Sequence, residues 1–565
     1  MSVSRLLKNP LSWVVAANVG LFAALTGGRI VWPGHTSWLM WGDSAQHYLG
    51  WEFFRRGPLT VWPPGASPLF GVGYSSSVVY ADAIPLLALP MKFLLAFTDA
   101  RFQYLGIWLL ACFVLQGVFA VKLLQRFDVR GAVLAPGALL FSIAPIFLYR
   151  MVVGGFGHMA LAGHFLVLWA LWLLFEPEMS HRRWTAVLLV SLLVQFYLFV
   201  TVGYFYVVAA CWQLWHRRSA QSWKANARGF VGNAVVVVVV AYLAGYFMGG
   251  STVADGFGQF RTDIIGLVDP SPNDFPGWSS VLPNPFNVDG THEGYAFVGS
   301  AALLLGAMAF FYTLRRRARI DRRIAMLTVA SAPLFLLALS HRLQFAGREV
   351  GTLPLPAGME TLLNVVRATG RFSWPMVYVL IGAALVTLIR GVPNRTIAPV
   401  IVTVALVMQL VDSRSALAEV NERFVESSRE ESFLRDDRWT SIAGESRCLV
   451  VSPPQVKGPY WRDFAEYALF NGMSTNVSYL SRWDQSVVDA LAQRTAERID
   501  SLDIADGCLY VMIVDRGQSP VAQADYLQSV VDRNEQDDVV IEVIDDFVVV
   551  KNAATSSSLG PSRRR

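Results

Sequence analysis

The residues best suited to chemistry gather early in the chain, in Trp41-Gly42-Asp43-Ser44, with Gln46, His47 and Glu52 close behind. A carboxylate at Asp43, just past the first apolar stretch, can act as a general base. It would take a proton from an acceptor hydroxyl as that hydroxyl attacks an anomeric carbon. Asp is also a favoured helix cap, so Asp43 equally fits the start of a helix over 44–55. Ionisable groups at membrane level are costly and tend to be functional, which favours the catalytic use. His47 is read as a substrate contact beside it. A second acid, Asp82 in Tyr80-Ala81-Asp82-Ala83-Ile84-Pro85, is either another cap or a second catalytic carboxylate. Two carboxylates in one loop permit a base with a helper or a bound divalent cation, and spacing does not choose between them.

His158 and His164 lie in GGFGHMALAGHF, where a spacing of six puts them about 240° apart on a helix. That argues against a two-histidine metal site. His158, at the glycine-rich start, is the better candidate for a substrate contact, and His164 suits a satisfied interior position. Arg367 and Arg371 are four apart and share a face if helical. Paired guanidinium forks suit a lipid phosphate or diphosphate, while the bland alternative is a snorkelling anchor beside Trp374. Asp263 and Asp269 fall in a long polar segment, and Glu293, in His292-Glu293-Gly294-Tyr295, closes that segment at a membrane boundary. Glu293 is read as substrate-binding, with a Gly-Tyr interfacial anchor as the alternative. No Walker loop, nucleophile elbow, zinc spacing or dinucleotide fingerprint stands in credible context, so no nucleotide cofactor is expected.

The elements that must hold these residues are membrane helices. The 565 residues are 54% hydrophobic and only 16% charged, against about 25% charged in soluble domains. Apolar runs fall at 11–32, 103–122, 131–149, 160–176, 184–199, 200–215, 228–249, 294–314, 323–340, 373–390 and 397–413. The 184–215 stretch is read as two short helices joined near Thr201–Gly203. The run at 11–32 has no clear cleavage site and is expected to be a retained helix rather than a signal peptide. Short loops between runs carry the arginines, including Arg126, Arg130, Arg315–Arg323 and Arg390–Arg395. Placing them in the cytoplasm gives eleven crossings, with the N-terminus inside and the C-terminus outside. Basic residues in such loops serve topology, so nucleic acid is not an expected partner. Ile84–Phe97, with Pro85 and Pro90, is then an interfacial helix. The long segments 33–99, 250–293 and 341–372 lie outside and are expected to carry function.

From about Ser413 the composition becomes that of a soluble, acidic domain. Arg447–Ser452, Cys508–Val514 and Val539–Val550 read as strands, and Trp483–Ala496 and Ala522–Arg533 as helices. The expected fold is an α-helical polytopic bundle over 1–413 with a small α/β extracytoplasmic domain over 414–551 and a disordered tail over 552–565. Cys112 and Cys211 fall in spans. Cys448 and Cys508 each begin a strand. If those strands are parallel neighbours, the two cysteines come within bridging range, and outside a bacterial inner membrane the bridge would persist. Otherwise they are buried free thiols.

With these residues in view, the chain resembles the GT-C superfamily of integral-membrane glycosyltransferases that use polyprenyl-phosphate sugars. The resemblance rests on Trp41-Gly42-Asp43 with His47, the loop through Tyr80-Ala81-Asp82, Glu293-Gly294-Tyr295, and Arg367 with Gly370-Arg371-Phe372. It implies a GT-C-like bundle over most of 1–413, with Asp43 the base of an inverting transfer. The implied partners are a polyprenyl-phosphate-linked sugar donor, a glycan, lipid or protein acceptor, and membrane lipids. No WWDYG signature appears, so transfer to protein asparagine is not implied. A lipid-linked glycan flippase or transporter would call for repeats or broken helices, which the sequence does not display. A non-catalytic envelope-assembly partner would tolerate loss of Asp43.

Overall fold

The computed structural model describes residues 9–152, 157–216, 220–249, 256–271, 277–282, 291–316, 321–392, 394, 396–426, 431–514, 519–534 and 538–552. The tail expected over 552–565 therefore lies almost wholly outside the described residues. The chain forms two compact units. One comprises Met1–Ser44, Asp99–Tyr242 and Val253–Arg429, and the other Ala45–Thr98, Leu243–Thr252 and Glu430–Arg565.

The first unit is a helical bundle, and the chain is a multi-pass membrane protein. Among the described residues five helices are long and apolar enough to cross a membrane: Leu105–Arg126, Phe196–Trp215, Trp223–Ala244, Arg322–Leu339 and Thr369–Gly391. Two bent pairs, Gly131–Ser142 with Pro145–Met151 (44°) and Ile397–Asp412 with Arg414–Glu426 (60°), raise that to seven. Helices also stand at the other expected positions, but they are short. Ser300–Arg316 has 17 residues and His181–Val194 has 14, which at about 1.5 Å per residue is less than the ~30 Å hydrocarbon core. The run at 11–32 likewise helps form a helix only over Pro10–Thr26, where Gly27 turns left-handed at φ 63.

Two expectations about breaks are corrected. The 184–215 stretch divides at Gln195 and not at 201–203. Gln195 is extended (φ −166, ψ 137), and its side-chain Oε1 accepts from Tyr197 N at 2.6 Å, capping the second helix. Broken helices, absent from the sequence reading, do occur. The run at 131–149 breaks before Pro145, whose missing N–H cannot continue the ladder.

Three arginine-bearing loops meet at one end of this bundle. Arg323 donates to Asp128 (2.9 Å) and to the carbonyl of Arg126, while Arg390 donates to the Phe127 carbonyl (3.1 Å) and pairs with Asp321. Burial works against the Asp321 charge, but Arg323 and Arg390 hold its carboxyl down at about 2. Loops expected to share one side of the membrane are thus joined by charge.

The second unit is built on a five-stranded sheet. Its strands β3 (Cys448–Ser452), β4 (Ser474–Thr475), β5 (Cys508–Ile513), β6 (Val539–Ile544) and β7 (Phe547–Asn552) run in the order β4-β3-β5-β7-β6. They are numbered after a β1–β2 hairpin (Arg342–Phe345, Arg348–Thr352) in the first unit. β3 is parallel to β4 and β5, and the β5–β7 and β6–β7 pairs are antiparallel. The single strand expected over 539–550 is a hairpin, turning at Asp545 with φ 51. Between β3 and β4 lies a further helix, Trp461–Phe470, which the sequence reading passed over. Helices Gln485–Asp500 and Pro520–Asn534 match the two that were expected. Ile499, Leu527, Val531, Tyr510, Val548 and Val550 form part of the core.

Residues 45–98 fold with this sheet. Val72 N donates to Thr475 O and Thr475 N to Leu69 O, both at 2.9 Å, and Tyr74 Oη donates to Asn476 O at 2.7 Å. Pro85–Leu94 is a ten-residue helix with Pro90 inside it, too short to cross. Cys448 and Cys508 are directly paired in the parallel β3–β5 register and form a disulfide, with Cα atoms 4.6 Å apart.

Candidate active site

Two glycines bring the key side chains of the first unit together. Gly294 and Gly370 each sit in a short 3-10 turn, Thr291–Gly294 and Thr369–Ser373. The turns touch backbone to backbone, and a Cβ on Gly370 would run into the Cα of Gly294. Thr262 clasps both, donating to Gly294 O (2.9 Å) and Gly370 O (3.2 Å), while Gly370 N donates to Phe260 O at 2.9 Å. The residues flanking these glycines, Glu293 and Arg371, are therefore forced together.

Their side chains form a bidentate pair. Arg371 Nε donates to Glu293 Oε2 at 2.9 Å and Arg371 Nη2 to Oε1 at 2.6 Å. Arg150 completes the cluster, with Nη1 to Glu293 Oε2 at 2.8 Å and Nη2 to the Glu293 carbonyl at 3.3 Å. Arg150 is fully buried, and its Nε has no hydrogen-bond partner among the described residues. Aromatic faces wall the cations: Arg150 lies 5.1 Å from the Trp374 ring and 5.5 Å from Tyr149, and Arg371 lies 4.5 Å from Tyr197. Guanidinium forks held side by side in this way are the groups that recognise carboxylates and phosphates.

The site lies at the end of the bundle away from the arginine network. Arg371 precedes helix Trp374–Gly391, and Arg390 ends it, so about 19 residues at ~1.5 Å each separate the two ends by nearly 30 Å. Arg150 is the residue that sequence reasoning missed. Its signal was there, a lone cation inside the apolar run Phe147-Leu148-Tyr149-Arg150-Met151-Val152.

The remaining expected residues fall in different places. Arg367 does not share a helix face with Arg371, because Ala368 (ψ 65) separates two turns. Its guanidinium lies 5.8 Å from the Phe260 ring. His158 and His164 do not share one helix either. His158 precedes the turn Met159–Ala162, and His164 precedes helix Phe165–Leu173. His158 is buried close to the site, since Gly157 before it packs on the Arg150 and Met151 backbone. His164 lies on Trp374 (4.2 Å) and bonds Tyr378 Oη through Nδ1 at 2.8 Å. Asp263 is structural: its carboxylate accepts from Ile265, Ala346 and Gly347 N, fixing the β1–β2 turn. Burial, followed by the nearby Asp263 charge, pushes the Asp269 carboxyl upward.

Asp43 lies in the first turn of helix Gly42–Arg56, where the helix dipole favours a carboxylate. Arg423 links its approach to the ion cluster. The guanidinium lies 5.9 Å from the Trp41 ring and donates to Val152 O at 3.1 Å, so the chain before Asp43 and the chain after Arg150 share one brace.

In the second unit, His47 is fully buried and Glu52 pairs with Arg55 at 2.8 Å. Asp82 is buried, lies near Gln46 Nε2 (3.5 Å) and holds a left-handed backbone with φ 51. Such conformations concentrate at functional sites. Among the described residues no group of three or more His, Cys, Asp or Glu could hold a metal ion.

The bundle and its cluster of Arg150, Glu293 and Arg371 belong to a multi-pass membrane protein with charged groups held at one end of its helices. The chain belongs to the family described as Domain of unknown function (DUF6311), which matches residues 15–414, and its residues 438–551 match the DUF6311 C-terminal domain. Comparison with curated proteins finds no match. Similar solved structures include the oligosaccharyltransferase of Archaeoglobus fulgidus in complex with zinc and sulfate, at 12% identity and TM-score 0.41 over 95% of this chain and 73% of that one. The oligosaccharyltransferase AglB from Archaeoglobus fulgidus in complex with an inhibitory peptide and a dolichol-phosphate matches at 11% identity and TM-score 0.38, over 97% and 74%. ArnT from Cupriavidus metallidurans bound to undecaprenyl phosphate matches at 12% identity and TM-score 0.37, over 97% and 98%. The likeness is distant in both sequence and geometry.

Proposed function

We propose that the protein is an inverting membrane glycosyltransferase that uses a polyprenyl-phosphate sugar. The acceptor is a glycan, lipid or protein of the cell envelope, on the outer face of a bacterial inner membrane. The eleven helices then cross with the N-terminus in the cytoplasm and the C-terminal domain outside.

The observation that carries this reading is the Arg150–Glu293–Arg371 cluster. In the transfer, the acceptor oxygen bonds to the anomeric carbon as the bond to the donor phosphate breaks. Asp43 takes the acceptor proton. Negative charge gathers on the departing phosphate, where preorganised guanidinium groups stabilise it more than they stabilise the bound donor. Glu293 holds both forks in place and keeps their repulsion in check. His158 and Arg367 are assigned to substrate binding.

Turnover of a radiolabelled polyprenyl-phosphate sugar by the purified protein tests the reading, and a folded protein that never consumes the donor would refute it. The broken helix before Pro145, which carries Arg150, favours a flippase as second reading. Transfer in detergent solution, with no bilayer to cross, separates the two.

A further inference from the structure

A separate apolar cavity lies in the bundle, on helices that the proposed reaction does not use. It has a volume of about 580 Å³ and runs between helices Ser300–Arg316 and Ile397–Asp412, walled by Leu303, Leu304, Val404 and Val407. Asp412, Arg414 and Ser280 also line it. Asp412 and Arg414 sit where the apolar helix ends and the chain bends by 60° into Arg414–Glu426. That following helix packs Ala416, Val420 and Phe424 against the bundle, with Phe424 on the Trp38 ring.

The two charges are available. Asp412 Oδ1 accepts from Ser279 Oγ and Ser280 N, each at 2.9 Å, and from Val281 N at 3.0 Å. Its Oδ2 is buried, in a side chain only 6% exposed, and has no hydrogen-bond partner among the described residues. Arg414 is exposed and makes no hydrogen bond or ion pair among the described residues.

We infer that this groove binds an aminophospholipid of the phosphatidylethanolamine class. Its ammonium donates to Asp412, its phosphate meets Arg414, and one acyl chain fills the apolar cavity. The apolar cavity of about 580 Å³ has room for an acyl chain. A polyprenyl phosphate has only negative charge to offer beside a carboxylate. A choline headgroup has no N–H to donate, and a glycerol headgroup has no cation.

Native mass spectrometry of the full-length protein, titrated with palmitoyl-oleoyl phosphatidylethanolamine, phosphatidylcholine and phosphatidylglycerol, tests the inference. Phosphatidylethanolamine should bind at least tenfold more tightly than either. Asp412→Asn should remove that preference, and Val407→Trp, which fills the groove and leaves the charges in place, should reduce bound lipid. If Asp412→Asn fails to fold, Val407→Trp still decides. Equal retention of the three lipids, unchanged binding in Val407→Trp, or displacement of the bound lipid by undecaprenyl phosphate would each overturn it. None of these readouts depends on glycosyl transfer.

Discussion

Gly370 and Gly294 meet with no room for a side chain between them, and through that contact Arg371 reaches Glu293. The first prediction follows from it. Gly370→Ala should cost roughly 1–3 kcal/mol, as overpacking does, and should remove activity although every charged residue remains. Gly351→Ala, where nothing lies within 4 Å, should be near neutral. Thermal unfolding of the two variants in detergent checks the contrast. A Gly370→Ala protein with the native melting temperature would mean the turns can separate cheaply.

Arg371 and Arg367 should respond differently. Arg371→Ala removes the bidentate fork from Glu293 and should lower both donor affinity and thermal stability. Arg367 has an aromatic neighbour in Phe260, so Arg367→Ala should weaken donor binding and give up that cation–π contact. Arg371→Lys keeps the charge but cannot reproduce the bidentate fork, and should behave more like the alanine variant. Donor binding measured beside melting temperature separates these outcomes. Native affinity in the folded double alanine variant would exclude both residues from donor binding.

Asp43→Asn should express normally and lose ~10²–10⁴-fold in turnover, the usual contribution of proton transfer. Asp82→Asn is its companion. If the first variant turns over near the native rate, Asp43 is not the base and serves only the first turn of its helix.

Reporter fusions fix the topology. Asp128, in the arginine network, should report the cytoplasm and Asn552 the outside. The same side for both would end the eleven-crossing scheme.

The Cys448–Cys508 bridge closes a separation of 60 residues, and its loss should cost about 4 kcal/mol in the chain-entropy model. Alkylation without prior reduction, followed by mass spectrometry, should leave both cysteines unlabelled.

How far these features were legible depended on the range of the interaction. The disulfide could be anticipated because strand starts are marked locally and parallel pairing aligns them. Arg371 and Glu293 could each be singled out, but their meeting depends on Thr262 and two glycines far apart in sequence, which no periodicity encodes. The break at Gln195 was misplaced because glycine at 203 is a louder signal than a side chain that caps its own helix. Arg150 went unread because its neighbours made an unbroken apolar run. The hairpin over 539–552 looked like one strand because Asp545 and Asp546 are short polar interruptions in a valine-rich stretch.

The sheet unit completes itself with residues from near the start of the chain, and Tyr74 bonds a partner 402 residues further on. At a synthesis rate of about 5–20 residues per second, that partner emerges some 20–80 s later. Throughout that interval the 45–98 segment has left the ribosome with its edge unpaired and its aromatic residues uncovered. The second unit is therefore the last part of the molecule to mature, and a nascent chain stalled before residue 430 would expose a segment ready for proteolysis or for pairing with the wrong strand.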